Sequence, residues 1–84
     1  MPMQPYIATV TVGATYAPLA STPTRLRHVT IQCPPGNSGV VTFKDPAGHE
    51  SDWQKGEWNV FEDVDLADFQ VKGTPGDTVT QRGS

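Results

Sequence analysis

Polar and apolar residues alternate along several short stretches of this chain. Between Tyr6 and Val12, every second residue is Tyr, Ala or Val, and Ile or Thr lies between them. In a later stretch, Val29, Ile31 and Cys33 occupy every second position. Alternation with a period of two is typical of a strand that is buried on one side. The pattern therefore predicts β-strands.

The stretch from Arg27 to Asp45 predicts two strands joined by a tight loop. Its sequence is R-H-V-T-I-Q-C-P-P-G-N-S-G-V-V-T-F-K-D. Proline presets φ, and Gly and Asn tolerate positive φ, so Pro34-Pro35-Gly36-Asn37 is expected to reverse the chain. Val41 and Phe43 share one face of the returning strand. We expect these two strands to pair, with the remaining strands laid against them.

The remaining predicted strands are short and separated by turn residues. They cover about 6–12, 15–20, 57–65, 69–72 and 78–81. Pro18 confines the second of these to a sheet edge or an extended crossing. The polar stretch from His49 to Lys55 predicts a loop, and Asp65 is expected to cap a single helical turn.

Frequent glycine and proline exclude a long helix and indicate a two-layered fold. The 84 residues include eight of each. Because seven or eight short strands cannot enclose a core as one flat sheet, we predict an all-β, compact antiparallel β-sandwich or jelly-roll. One domain over 1–84 is expected, with a Pro-rich arm over 1–5. The predicted core is Val10, Val12, Val29, Ile31, Val41, Phe43, Trp58, Val60, Val64, Leu66, Phe69, Val71 and Val79.

Size and composition point to self-association. A domain of this length buries only roughly 60–65% of its unfolded surface. Cys33 is the one cysteine, so an internal disulfide is excluded, and His28 and His49 are the only histidines. Oligomerisation is then the expected source of extra burial. The predicted interface residues are Met1, Pro2, Met3, Gln4, Pro5 and Trp53.

Charge and hydropathy exclude several function classes. The net charge is −3 and the pI is about 5, and no basic run provides a nucleic-acid groove. No segment reaches the roughly 20 apolar residues of a membrane helix. The start of the sequence lacks the positive region of a signal peptide.

Candidate catalytic and metal-binding residues do not form a recognisable site. Alternation places Cys33 and His28 on opposite faces of one strand, so the two are not expected to form a catalytic dyad. The acidic residues Glu62, Asp63, Asp65 and Asp68 lack the spacing of a calcium loop, and a solvated acidic turn is expected instead. We predict no catalytic, cofactor or metal site, and no enzymatic activity.

Two aromatic residues leave a binding function open. Trp53 lies in the polar stretch and is a candidate for exposure, and with Tyr16 it motivates a glycan-binding module. A subunit contact or the end of the core is the favoured explanation for Trp53, because interfaces favour tryptophan. Trp58 keeps the strand alternation and is predicted to be buried.

Two segments resemble small virion proteins of tailed bacteriophages. The first is R-L-R-H-V-T-I-Q-C-P-P-G-N-S-G-V-V-T-F, over 25–43, and the second is E-D-V-D-L-A-D-F-Q-V-K-G-T-P-G-D-T-V, over 62–79. The first combines an Arg-rich strand start with a Pro/Gly-Asn turn. The second combines a D-L-x-D turn with G-T-x-G-D-T-V.

The resemblance implies a structural role on a virion. Such proteins are compact β-sandwiches or jelly-rolls, and some are capsid decoration (cement) proteins. The expected partners are the major capsid protein and copies of the chain itself, as a homo-trimer. The expected location is the capsid exterior, after synthesis in the bacterial host cytoplasm. A tail, baseplate or connector protein is the alternative that the resemblance leaves open.

Overall fold

The computed structural model describes residues 5–84 and has eight β-strands in two four-stranded sheets, which confirms the predicted all-β sandwich. The strands are β1 (Tyr6–Thr11), β2 (Ala17–Pro18), β3 (Arg25–Gln32), β4 (Val41–Lys44), β5 (Glu50–Trp53), β6 (Trp58–Asp65), β7 (Gln70–Lys72) and β8 (Thr78–Gly83). As expected for a strand that contains proline, β2 lies at a sheet edge.

The strand order is that of a jelly-roll. The first sheet has the order β1-β8-β3-β6, the second has the order β2-β7-β4-β5, and the pairings in both are antiparallel. Successive strands pass from one sheet to the other, except that β4 and β5 form a hairpin within the second sheet. This eight-strand, two-sheet arrangement confirms the jelly-roll prediction.

The expected pairing of β3 with β4 is wrong, because the two strands belong to different sheets. The loop between them crosses the sandwich and is fastened to the start of β8. The Asn37 side chain donates to the Thr78 carbonyl and accepts from the Thr78 N–H. The Asp77 carboxylate accepts from the N–H groups of Ser38 and Gly39. In a hairpin turn, the polar groups of these loop residues would face water. Here they form hydrogen bonds with the segment at the start of β8.

The polar stretch after Gly48 also differs from the prediction, since it contains β5 instead of a loop. The Asp45 carboxylate accepts from the His49 N–H and so closes the preceding turn. β5 then pairs with β4, and Trp53 lies opposite Val41. The Trp53 ring stacks on Phe43 with a centroid distance of 3.8 Å. Cross-strand packing of this kind outweighs the low strand propensity of E-S-D.

The core lies between the two sheets and differs in part from the predicted set. Its buried apolar residues are Val12, Leu19, Leu26, Val29, Ile31, Cys33, Val41, Phe43, Trp53, Leu66, Val71 and Val79. Val64 and Phe69 are partly buried against it. The predicted core positions Trp58 and Val60 are wrong, because both side chains are exposed.

A break in alternation at one residue explains that error. Asp63 has a φ of 52°, and the inward-facing residues change from odd to even positions across it. Phe61 faces the core before the break, and Val64 faces it afterwards. β3 changes face beside it, where the N–H groups of Arg27 and His28 both donate to the Ser84 carbonyl. Two consecutive donors on one acceptor are the geometry of a β-bulge.

The turn after β6 follows the sequence prediction. Leu66–Asp68 form a 3₁₀ helix, and the Asp65 carboxylate caps it by accepting from the Ala67 N–H. Asp65 also accepts from the Thr24 N–H. Within residues 5–84, no helix is long and apolar enough to cross a membrane.

Candidate functional site

The side of the first sheet that faces away from the core is a regular exposed surface. We call it the outer face. It is formed by Ile7, Thr9, Thr30, Gln32, Trp58, Val60, Thr80 and Arg82. Strand register places them in two rows across the sheet, Ile7-Arg82-Thr30-Val60 and Thr9-Thr80-Gln32-Trp58.

The outer face carries the large apolar side chains that the described part of the chain exposes most. Ile7 is 76% exposed, Trp58 is 60% exposed and Val60 is 53% exposed. Trp58 and Val60 lie on the edge strand β6, while Ile7 lies on β1 at the opposite edge. Single exposed apolar residues are ordinary, but three on one side of the same sheet make this side the candidate contact surface.

The centre of the outer face is polar and carries the positively charged side chain of Arg82. Arg82 lies between Ile7 and Thr30 in the first row, and it lines a shallow depression with Thr30, Gln32 and Trp58. The planar guanidinium of Arg82 favours a partner surface that carries a carboxylate, because its donors match carboxylate geometry. The outer face therefore combines apolar edges with the charged guanidinium of Arg82, which can orient a partner.

The predicted interface residues lie elsewhere. Met1, Pro2, Met3 and Gln4 fall outside the described residues, and Pro5 is exposed just before β1. Of the alternatives given for Trp53, exposure is wrong and a place in the core is right, because its side chain is only 4% exposed. A part for these residues in subunit contacts stays a prediction.

A second feature is a cleft between β5 and β6, where the two sheets have their open edge. Its volume is about 360 Å³. The aromatic part is a continuous series in which Phe43 contacts Trp53, Trp53 contacts Phe61, and Phe61 contacts Phe69. Polar residues form the rim, namely Asp45, His49, Glu50, Ser51 and Asn59. An apolar interior with a few polar groups at the rim is typical of ligand clefts.

The rim has a fixed negative charge on the β4–β5 turn. The His49 N–H donates to the Asp45 carboxylate, and this bond holds the pKa of Asp45 below its usual value. The His49 ring nitrogen Nδ1 lies 3.1 Å from the same carboxylate.

The outward side of the second sheet carries an ionic cluster around Tyr16. The Tyr16 hydroxyl donates to the Glu50 carboxylate, and this bond raises the pKa of Tyr16 to about 12. The ammonium groups of Lys44 and Lys72 lie 4.5 and 4.6 Å from the centre of the Tyr16 ring. These cation–π contacts occupy the ring face that a sugar would need.

Cys33 and His28 lie on opposite sides of the first sheet. Cys33 is completely buried, and burial raises the pKa of its thiol to about 11. His28 is exposed on the other side. A thiol in this state is a poor nucleophile at neutral pH, since the thiolate is the reactive form.

Among the acidic residues near the end of β6, Asp65 has structural partners. Asp65 caps the 3₁₀ helix, and its hydrogen bonds with the Thr24 and Ala67 N–H groups hold the pKa of its carboxyl below the usual value. Among residues 5–84, no group of three or more His, Cys, Asp or Glu side chains is placed to hold a metal ion.

Comparison with known proteins gives a fold likeness and no family. No family model matches the chain, and no curated protein matches it. A solved structure described as the solution NMR structure of a de novo designed double-stranded β-helix aligns with 95% of this chain and 95% of its own length. The sequence identity is 16% and the TM-score is 0.49.

Sequence reasoning missed both the outer face and the cleft. The alternation in β1 already separated Ile7 from the inward residues, and that was an available signal for the outer face. The exposure of Trp58 depends on the backbone of Asp63, which no local pattern predicts. The cleft depends on which strands lie at the sheet edges, a property of the completed topology.

Proposed function

We propose that this chain is a bacteriophage virion structural protein, and specifically a head decoration protein that binds and stabilises the capsid shell. The observation that carries the proposal is the outer face, with Ile7, Trp58 and Val60 exposed on one side of the first sheet. A protein that works by contact needs such a surface, and the contact itself supplies the burial that a small domain lacks.

The fold and the resemblance support the same role. Jelly-rolls occur widely in viral capsid proteins, which is an analogy at the level of fold. The two segments that resemble phage virion proteins form β3, the crossing loop and β4, and then the end of β6 through β8. They build the framework that presents the outer face.

The mechanism is mechanical. Apolar residues at both edges of the outer face bury against the shell, and Arg82 pairs with a carboxylate of the partner. Bridging adjacent major capsid proteins, together with copies of itself, would resist the pressure of packaged DNA. The affinity then comes from buried area and from one oriented ion pair, with no chemical step.

Imaging of purified virions from the phage that encodes the chain tests the proposal. Antibody labelling followed by electron cryo-microscopy is expected to place the protein on the outside of the head at regular lattice positions. Density on the tail, baseplate or connector would replace the decoration role with the alternative structural role. Absence from the virion would reject both.

A glycan-binding module is a second candidate, favoured by the cleft between β5 and β6. Its aromatic interior and the rim groups of Ser51 and Asn59 suit a sugar ring. Because Trp53 is buried, Trp53→Ala would disturb the core, so Asn59→Ala is the sharper variant. Glycan-array binding that Asn59→Ala removes would support this candidate, and a blank array would reject it.

A further inference from the structure

We propose that β6 pairs with β6 of a second copy of this chain, so that the two first sheets join into one continuous eight-stranded sheet. This inference deepens the proposed function by naming the contact between copies, and it rests on that function for the expectation that the protein assembles. The evidence is the position of β6, its residues and its register.

β6 has an unpaired edge. It lies at one end of the first sheet, and within residues 5–84 it forms a ladder with β3 alone. It has eight residues, as many as β3 and more than the other strands. An exposed edge of this length presents N–H and C=O groups that template pairing with another strand.

The part of β6 from Trp58 to Phe61 lacks the features that usually protect an edge. The residues Trp58-Asn59-Val60-Phe61 carry no charge and no proline. Edge strands are normally blocked by lysine, proline, bulges or short length. The φ of 52° at Asp63 and the carboxylate of Glu62 limit the open edge at one end, and the turn at Lys55-Gly56 limits it at the other.

Self-complementarity selects one register. In an antiparallel pair around a two-fold axis at Asn59, Trp58 of each copy lies opposite Val60 of the other. Both residues are on the outer face, so each copy contributes one half of two apolar cross-strand pairs. Shifting the axis to Val60 would place Trp58 opposite Glu62, and Glu57 opposite Asp63. That second register sets carboxylates side by side and is disfavoured.

The second copy, paired strand to strand, is the occupant that this edge fits best. An isologous contact uses the same residues on both sides and closes after two subunits. It produces dimers in place of the trimer expected from the sequence. It also joins the two outer faces into one surface, which doubles the area offered to a shell and raises the avidity of binding.

Sedimentation equilibrium of the purified chain, over a wide concentration range, tests the contact. A concentration-dependent dimer is expected. Val60→Lys places a charge at the centre of the contact and should raise the dimer dissociation constant at least about tenfold. Thr9→Lys is the matched control, since it makes the same change of charge on the outer face at the other edge strand. It should leave the dimer intact.

Oxidation of Asn59→Cys tests the register directly. Two residues opposite each other at the axis are close enough for a disulfide, and Cys33 is buried and out of reach. A covalent dimer from Asn59→Cys, with little from Thr9→Cys, is expected. A monomer at all concentrations, a trimer, or a dimer broken by Thr9→Lys instead of Val60→Lys would overturn the inference.

The two proposals fail separately. A monomeric protein that decorates the head would overturn the β6 contact and leave the proposed function in place. A dimer cross-linked through residue 59 but absent from virions would support the contact and reject the function.

Discussion

Asn37 and Asp77 are buried polar residues with a structural purpose. Each is only 6% exposed, and both tie the loop between the sheets to β8 through hydrogen bonds with backbone groups. The Ser38 N–H, followed by that of Gly39, stabilises the ionised carboxyl of Asp77 and holds its pKa below the usual value. At this scale the fold depends on polar groups whose partners are distant in sequence.

Asp77→Asn is expected to destabilise the protein at neutral pH, because the amide has one acceptor oxygen for two N–H donors. The folded pKa of Asp77 is lowered, so its contribution is complete above the unfolded value of about 3.9 and is lost as the pH falls through the folded pKa. The unfolding free energy of the variant should therefore approach that of the parent in acid. Urea unfolding across pH measures this, with exposed Asp68→Asn as the control; an equal deficit at all pH values would contradict it.

The two tryptophans have opposite roles that their sequence surroundings conceal. Trp53 lies in a polar stretch but stacks on Phe43 in the core, whereas Trp58 lies in an alternating stretch but faces solvent. Trp53→Ala should lower the unfolding free energy by about 3–5 kcal/mol. Trp58→Ala should change it by less than about 0.5 kcal/mol when the chain is monomeric. Denaturant titration at low concentration compares them, and a larger loss from Trp58→Ala would refute the assignment.

At the level of elements, the first sheet depends on close approach between β8 and β3. A Cβ atom at Gly83 would lie 2.0 Å from the His28 carbonyl oxygen and 2.8 Å from the Val29 Cα. These are backbone atoms of the neighbouring strand, so a side chain there requires the strands to separate. The bulge at Arg27 and His28 lies in the same region, beside Gly83.

Gly83→Ala is accordingly expected to cost about 3 kcal/mol or more, the upper range for overpacking. Gly36→Ala is the matched control, because a Cβ at Gly36 meets nothing within 4 Å. Thermal unfolding of both variants provides the measurement. Equal melting temperatures for the two would show that β8 and β3 are less tightly apposed than described.

Local patterns predicted most strands and their inward faces, as Val29, Ile31, Val41 and Val79 illustrate. They also predicted the Asp65 cap, because capping is a short-range interaction. They failed where a distant partner decides the outcome: β5 forms because β4 is beside it. The pairing of β3 with β4 was predicted wrongly, because turn chemistry reverses a chain without fixing the sheet that it enters.

At the scale of the whole molecule, the jelly-roll exposes an apolar surface that we propose is covered by partner proteins. The two edge strands of the first sheet, β1 and β6, carry the exposed apolar residues Ile7, Trp58 and Val60. Burial of these residues against other proteins would add to the small core that 84 residues can form. Assembly and stability are then two aspects of the same surface.

If the chain is the head decoration protein that we propose, the purified protein should co-sediment with expanded, undecorated capsids of the phage that encodes it, and this measurement tests the proposal most directly. The parent chain is expected to bind at a fixed ratio to the major capsid protein. Ile7→Glu, which places a charge on the outer face away from β6, should bind at least about tenfold more weakly. Gln70→Glu, on the outward side of the second sheet, should bind like the parent. No binding by the parent, or equal binding by all three, would contradict the account.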